Sequence, residues 1–342
     1  MKKLLTKVTW VLFILVILAS LIYFRPAWTA SIPSVAGSTS VASLERITLG
    51  HLSQSVLIRS QNIQNPILLF VHGGPGMPMM YLSHTFQRPL EKKFTVVQWD
   101  QRASGKSYSD DISPETINVE QYLADALQLI DTLRLRYHQQ KIYIAGHSWG
   151  TYLCSILVQR HPELFYAYIS IGQVVDGGAA ATIQRAFLTS EAQQHGDTIL
   201  LGKLKDTSFH SFENGLFKYG GELRHATGYL PLVITGLQAT EYTFRDVLQV
   251  SKGPKFCARY MRYNSIQGTI MNCIQKYDVP VFFLAGTHDY TTPFSLIKEY
   301  FDSIQAPYKQ LVWFHNSAHF PFYEEPDKFD SVLLYVRDVA GK

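Results

Sequence analysis

A chain of 342 residues with 46% hydrophobic and 17% charged side chains can bury a large core, which excludes a disordered or fibrous protein. The formal charge of +4 resides in Lys2, Lys3, Lys7 and Arg25; beyond these four of the 31 bases, the chain holds 27 bases against 27 acids. The body of the chain therefore lacks the basic excess of a nucleic-acid-binding surface.

The first element is an uncharged run from Val8 to Phe24, with lysines before it and Arg25-Pro26 after it. A bilayer span takes roughly 17 to 25 apolar residues and a cleavable signal core about 7 to 15. With bulky Ile22, Tyr23 and Phe24 at its end and no small-x-small site there, residues 1–25 are expected to form a transmembrane anchor. A signal peptide, cleaved to release a secreted protein, is the alternative. The preceding lysines would keep the N-terminus in the cytoplasm and set the rest of the chain outside the cell membrane. Residues 26–43, rich in Ser, Ala, Thr and Gly, read as a linker.

Strand-like runs follow at Ile47–Leu49, Ser55–Arg59, Ile67–Val71 and Phe94–Trp99. Asn118 then caps a helix from Val119 to about Tyr137, with Leu123, Leu127, Ile130 and Leu133 at helical spacing. A strand at Lys141–Ala145, a tight turn, a helix at Thr151–Arg160 and a strand at Tyr166–Ile171 come next. Strands alternating with helices predict a mostly parallel sheet covered by helices on both faces. From 176 to 277 the alternation stops in favour of helical patches and aromatics, as expected of a helical cap inserted into a core made of 44–175 and 278–342. It resumes with Val279–Ala285, a helix opening at Thr292-Pro293, a strand at Lys309–Phe314 and a closing helix from about Glu325 to Val339. Cys257 could pair with Cys273, or these two and Cys154 are three unpaired small hydrophobes. No ligand-spaced cluster calls for a metal.

The turn Gly146-His147-Ser148-Trp149-Gly150 fits G-x-S-x-G between an apolar strand and a helix, the context in which a strained turn lifts a serine Oγ out of a sheet. The competing account is a serine that merely caps its helix. A nucleophilic serine needs a base, and the base needs an orienting acid. Asp289, just past one apolar strand, and His319, just past the last, fill these places in the required order. Asp278 precedes its strand and would emerge at the wrong end, while His288 and His315 read as packed or surface histidines. His72-Gly73-Gly74-Pro75-Gly76 follows a strand and would supply an oxyanion donor at Gly74, or alternatively Gly73, to join the N–H of Trp149. That loop lacks the lysine ending of a P-loop.

These segments, HGGPG at 72–76, DQRASGKS at 100–107, GHSWG at 146–150, THDYTTP at 287–293 and AHFPFYEEPDKF at 318–329, resemble the prolyl aminopeptidase (proline iminopeptidase) group of α/β-hydrolases. The resemblance implies an α/β-hydrolase fold, no cofactor, and an acyl-enzyme mechanism releasing an N-terminal residue from a short peptide or amide. It also implies scaffold roles for Asp100 and Arg102, and cap glutamates that grip the substrate's free amine. Glu191, Glu213, Glu222 and Glu241 are the available cap acids. Two departures stand out: Ala103 replaces a usual glycine, and the cap has no tryptophan. Phe209, Phe212, Phe217, Tyr219, Tyr260 and Tyr263 either line a pocket or pack the cap onto the core. A carboxylesterase or lactonase using the same serine, and a non-catalytic receptor or interaction protein on the same shell, are the rival readings.

Overall fold

The computed structural model describes residues 25–206, 212–263 and 269–341, with Trp10, Phe13, Ile14, Ile17, Ser20 and Tyr23. Eight strands form one sheet: β1 Val41–Leu49, β2 Leu52–Ser60, β3 Ile67–Val71, β4 Thr95–Trp99, β5 Ile142–His147, β6 Phe165–Ile171, β7 Val281–Gly286 and β8 Lys309–Phe314. Their spatial order is β1-β2-β4-β3-β5-β6-β7-β8. The β1–β2 and β2–β4 pairs are antiparallel and every later pair is parallel.

The central strands are buried and mostly apolar because both faces are covered. Leu69 and Val71 of β3 join a cluster with Leu129, Leu153 and Ile297. These come from helices α1 (Val119–Arg136), α2 (Trp149–Arg160) and α9 (Phe294–Ser303). Leu68 and Phe70, pointing the other way by the period of two, pack with Phe86, Phe329 and Leu333, the last two from α10 (Pro326–Ala340). Asn118 caps α1 as expected, its side chain accepting the Gln121 N–H at 2.9 Å.

Between β6 and β7 the described residues form six helices and no strand of the sheet: α3 Gly177–Gln194, α4 Thr198–Leu204, α5 Glu213–Lys218, α6 Leu230–Gln238, α7 Phe244–Gln249 and α8 Lys252–Tyr260. This cap is bolted to the core by polar contacts as well as by packing. The Tyr242 hydroxyl donates to Asp100 Oδ2, and Lys106 Nζ meets Asp246 at 2.6 Å. Cap residue Gly253 fits against the main chain so closely that a Cβ there would lie 2.4 Å from both Gly76 O and Ala103 O. The scaffold charges pair as expected: Arg102 holds Asp125 through Nε at 2.9 Å and Nη2 at 3.1 Å.

The N-terminal expectation needs correction. Among the described residues no helix is long and apolar enough to cross a membrane, and most of Val8–Phe24 lies outside the described residues. The run is also short for a span, since at 1.5 Å per residue it would reach about 26 Å as a helix, against a hydrocarbon core of roughly 30 Å. The residues that follow are engaged with the fold. Arg25 Nη2 donates to Ala239 O at 2.7 Å and Tyr242 O at 2.9 Å, and Trp28 N–H to Thr240 O at 3.0 Å. Arg59, paired with Glu91 at 2.7 Å, reaches Ala30 O at 2.8 Å. Strand β1 already begins at Val41, and it turns into β2 through Gly50 and His51, both at positive φ as a two-residue hairpin requires. All three cysteines are free, Cys154 and Cys257 buried and Cys273 exposed.

Candidate active site

The loops leaving the carboxyl ends of β3, β5, β7 and β8 converge on one cavity of about 540 Å³, in the place where open parallel sheets carry their sites. Ser148 stands between β5 and α2 with φ 52° and ψ −120°, a conformation that side-chain-bearing residues rarely adopt. It is held there by its own N–H donating to Ile171 O at 2.9 Å and by Thr151 N–H donating to Ser148 O at 2.8 Å. The flanking glycines are sterically required: a Cβ on Gly146 would lie 2.7 Å from Gly150 O, and one on Gly150 would lie 1.9 Å from Val71 O. Ser148 makes no side-chain capping bond, which removes the account of the turn as a simple helix cap. It lines the cavity instead.

His319 lines the same cavity, and its Nδ1 donates to Asp289 Oδ2 at 2.8 Å. A carboxylate accepts only from a protonated nitrogen, so Nε2 is left as the basic atom. Burial opposes charging of the ring, but the charge and hydrogen bond of Asp289, with Glu222 and Glu324 behind it, leave its pKa raised. Asp289 is fully buried and accepts two further bonds, from Thr292 N–H at 2.8 Å and Thr292 Oγ1 at 2.8 Å. Thr292 is therefore not the helix cap its sequence suggests; Pro293 takes that position and the threonine fixes the acid. Gly172 closes the other side of the ring, where a Cβ would lie 3.0 Å from His319 Cε1 and Nδ1.

Asp278 stays away from this assembly, exposed before β7 and paired with Lys276 at 2.7 Å. His147 is buried, its Nε2 2.9 Å from His319 O, and burial holds its pKa well below the ordinary value. It supports the His319 loop as a neutral ring.

Gly73 and Gly74 border the cavity, Gly74 at φ 114° and Gly73 so close to Ser148 that a Cβ on it would sit 3.0 Å from the serine Cβ. The loop is fixed by His72. Gln101 N–H donates to its Nε2 at 3.0 Å, so Nδ1 carries the proton and donates to Gly73 O at 2.8 Å. Burial pushes the His72 pKa down to about 4, which keeps this arrangement neutral. Trp149 begins α2, where an N–H has no acceptor within its own helix.

Of the four cap acids, Glu213 and Glu222 line the cavity and Glu191 and Glu241 do not. Glu241 is buried against the N-terminal segment, accepting from Thr29 Oγ1 at 2.8 Å, and Glu191 lies on α3 beside His195. Glu213 at the exposed rim accepts from the Tyr229 hydroxyl. Glu222 is buried, accepts from Thr291 Oγ1, and through its backbone oxygen takes the His319 N–H at 3.0 Å. Burial raises its pKa to about 7, with the charge of His319 and the Thr291 bond pulling the other way. Glu324 ties the same region together, accepting Arg224 N–H at 2.6 Å from the cap and Ala318 N–H at 2.8 Å from the histidine loop. Among the aromatics, Phe212 and Tyr263 border the cavity, Phe217, Tyr219 and Tyr260 do not, and Phe209 lies outside the described residues.

Residues 66–326 match the family described as the alpha/beta hydrolase fold. The chain belongs to that family. This hydrolase is 31% identical over 305 residues to a Bacillus subtilis (strain 168) protein named "Probable aminopeptidase YbaC", covering 86% of the chain and 96% of that relative. It is 23% identical over 270 residues to a proline iminopeptidase of Heyndrickxia coagulans, covering 78% of the chain and 88% of that enzyme. The crystal structure of a proline iminopeptidase from Mycobacterium smegmatis superposes on it with a TM-score of 0.63 at 18% identity, over 87% of this chain and 99% of the other. The expected resemblance to the proline iminopeptidase group is thus carried by sequence, and the chain is a hydrolase of the alpha/beta-hydrolase family.

Proposed function

We propose that this hydrolase is an aminopeptidase that releases an N-terminal residue, of the proline type, from short peptides or amides through a Ser148 acyl-enzyme. The observation that carries the reading is the buried carboxylate of Glu222 on the wall of the Ser148 cavity, next to His319. A carboxylate set into a largely apolar chamber is costly unless a cation meets it, and a substrate with a free amine brings one. Glu213 at the rim adds a second negative group for the same ammonium.

Ser148 Oγ attacks the carbonyl carbon while its proton passes to His319 Nε2, and Asp289 stabilises the imidazolium so formed. The N–H groups of Trp149 and Gly74 receive the oxyanion, each such donor contributing about 2.7 to 4 kcal/mol to the transition state. The carbon–nitrogen bond breaks as His319 returns the proton to the departing amine. Water, deprotonated by the same nitrogen, attacks the Ser148 ester and frees the amino acid.

A carboxylesterase reading is favoured by a different observation, the apolar walls from Met77, Met79, Leu82, Phe320 and Phe322, which suit an acyl chain. Aminoacyl-naphthylamides assayed beside short acyl esters separate the two, with activity expected on the former; turnover of esters alone overturns the peptidase reading. Fluorophosphonate labelling of the wild-type protein and not of Ser148→Ala is the expected outcome for the nucleophile. A folded wild-type protein that takes no label contradicts the whole scheme.

A further inference from the structure

A second cavity, of about 330 Å³, shares Gly74, Ser148, Gln184, Tyr263 and Thr291 with the first, but neither Glu213 nor Glu222 lines it. If the ammonium of the N-terminal residue is held at Glu222 and its carbonyl lies at Ser148, the chain on the far side of the scissile bond has this second cavity to enter. Its walls are largely apolar, from Trp149, Tyr152, Val175, Pro293 and Leu296. The polar group of Gln173 is already spent: Nε2 donates to Val174 O at 2.7 Å, and Oε1 accepts from Ser170 Oγ at 2.7 Å and the Tyr168 hydroxyl at 2.9 Å. Gln184 Nε2 likewise donates to Thr291 O at 2.9 Å.

Among the described lining residues the single charge is Asp176, and no lysine, arginine or histidine faces it. The N-terminus of α3 also opens here at Gly177 and would by itself favour an anion. That end is occupied by Asp176, whose Oδ1 accepts the Ala179 N–H at 2.7 Å. A full negative charge outweighs the roughly half-unit positive charge of the α3 end that it caps, so a leaving-group carboxylate entering beside Asp176 meets a like charge, set against the N-terminal ends of α2 at Trp149 and α9 at Pro293 that also border the chamber.

We infer that this second cavity binds the leaving group and that Asp176 makes it discriminate against a free carboxylate there. Substrates would be peptide amides and chains of three or more residues with an apolar second residue, in preference to dipeptides, whose leaving residue carries its own carboxylate. The inference rests on the aminopeptidase reading, because the position of the ammonium sets the direction of the chain.

The test compares kcat/KM for prolyl-leucinamide and prolyl-leucine, which differ only in that carboxylate, in the wild-type protein and in Asp176→Asn. Asparagine caps a helix as well as aspartate does, so the variant keeps the bond to Ala179 and loses the charge; Asp176→Ser, also a good cap, serves if the first fails to fold. The wild-type protein is expected to favour the amide about tenfold, a preference that shrinks as salt is raised. In Asp176→Asn the ratio should fall several-fold through a faster acid arm. A wild-type ratio near one, or the same ratio in the variant, overturns the role of Asp176 while leaving the aminopeptidase reading intact. Failure to cleave either peptide while short acyl esters turn over overturns that reading, and this inference with it.

Discussion

Replacing Glu222 with glutamine isolates the charge on which the proposed amine recognition depends. The side-chain carbonyl of glutamine still accepts from Thr291 Oγ1, and the backbone oxygen still takes the His319 N–H, so the loop has no reason to move. What disappears is a charge-assisted hydrogen bond to the substrate ammonium, worth about 1.5 to 3 kcal/mol net. At 1.36 kcal/mol per decade that is a loss of roughly tenfold to 150-fold in kcat/KM for prolyl-arylamides. The matching N-acetylated substrate has no ammonium and should lose little. The pH profile supplies a second readout. In the wild-type protein the activity on a free amine requires an ionised Glu222, whose pKa burial raises to about 7, and a neutral His319. Both conditions are met only as pH rises, so the acid limb lies near or above neutrality. Removing the Glu222 charge also removes one of the groups that raise the His319 pKa, so the acid limb of Glu222→Gln should move to lower pH. Equal losses on free and acetylated substrates, or an acid limb that moves up, would refute the reasoning.

Three further outcomes are expected. Gly150→Ala would press a methyl group to 1.9 Å from Val71 O, and such a backbone clash in a packed turn should cost more than about 3 kcal/mol, which for 342 residues lowers the melting temperature by about 4 °C or more; an unchanged melting temperature would contradict it. Ala103→Gly relieves a residue at φ 57°, gaining about 1 to 2 kcal/mol, against about 0.5 to 1 for glycine's added freedom when unfolded and about 0.8 for the buried methyl group, so chemical denaturation should find a stability within about 1 kcal/mol of wild type, and a larger loss would count against the strain. Burial raises the pKa of Asp330 from 3.8 to about 7, so the folded state holds more protons than the unfolded one within that window, and its contribution to stability declines as pH rises through it. Asp330→Asn should therefore gain on the wild-type protein as pH goes from 4 to 7, and thermal unfolding showing a constant difference would refute the assignment.

The strand and helix order of the core is legible in the sequence because its signals are local. β3 is apolar at every position and β5 from Ile142 to Ala145, and α1 carries both a period and a cap. The serine turn, the acid and the histidine each follow such a strand, so their loops can be located without knowing their contacts. Thr292 reads as a cap because a threonine before a proline is the ordinary sign of a helix start. The competing signal, an aspartate three residues ahead able to bond forward to the threonine N–H, is present at Asp289. Glu222 cannot be told from Glu191 or Glu241 in the sequence because it lies in a loop after Gly220-Gly221, where no period assigns a face. Val41–Ser43 read as linker because an edge strand that is only half buried shows little alternation. The apolar run at Val8–Phe24 offers composition alone, at a length where a few residues decide whether a span is possible.

One peptide group of the cap has a consequence for how this enzyme could change its preferences. The Glu222 carbonyl is the acceptor for the His319 N–H, and Gly221 O beside it accepts the Tyr290 N–H at 3.0 Å, one residue from Asp289. The segment that would read the substrate is thus also a backbone brace for the two loops that would drive the chemistry. A cap transplanted from a relative would have to bring an equivalent brace in register, or arrive with a displaced base. Preference and turnover are welded here, and change is freer at positions such as Leu232 on α6, which borders the cavity from outside those loops.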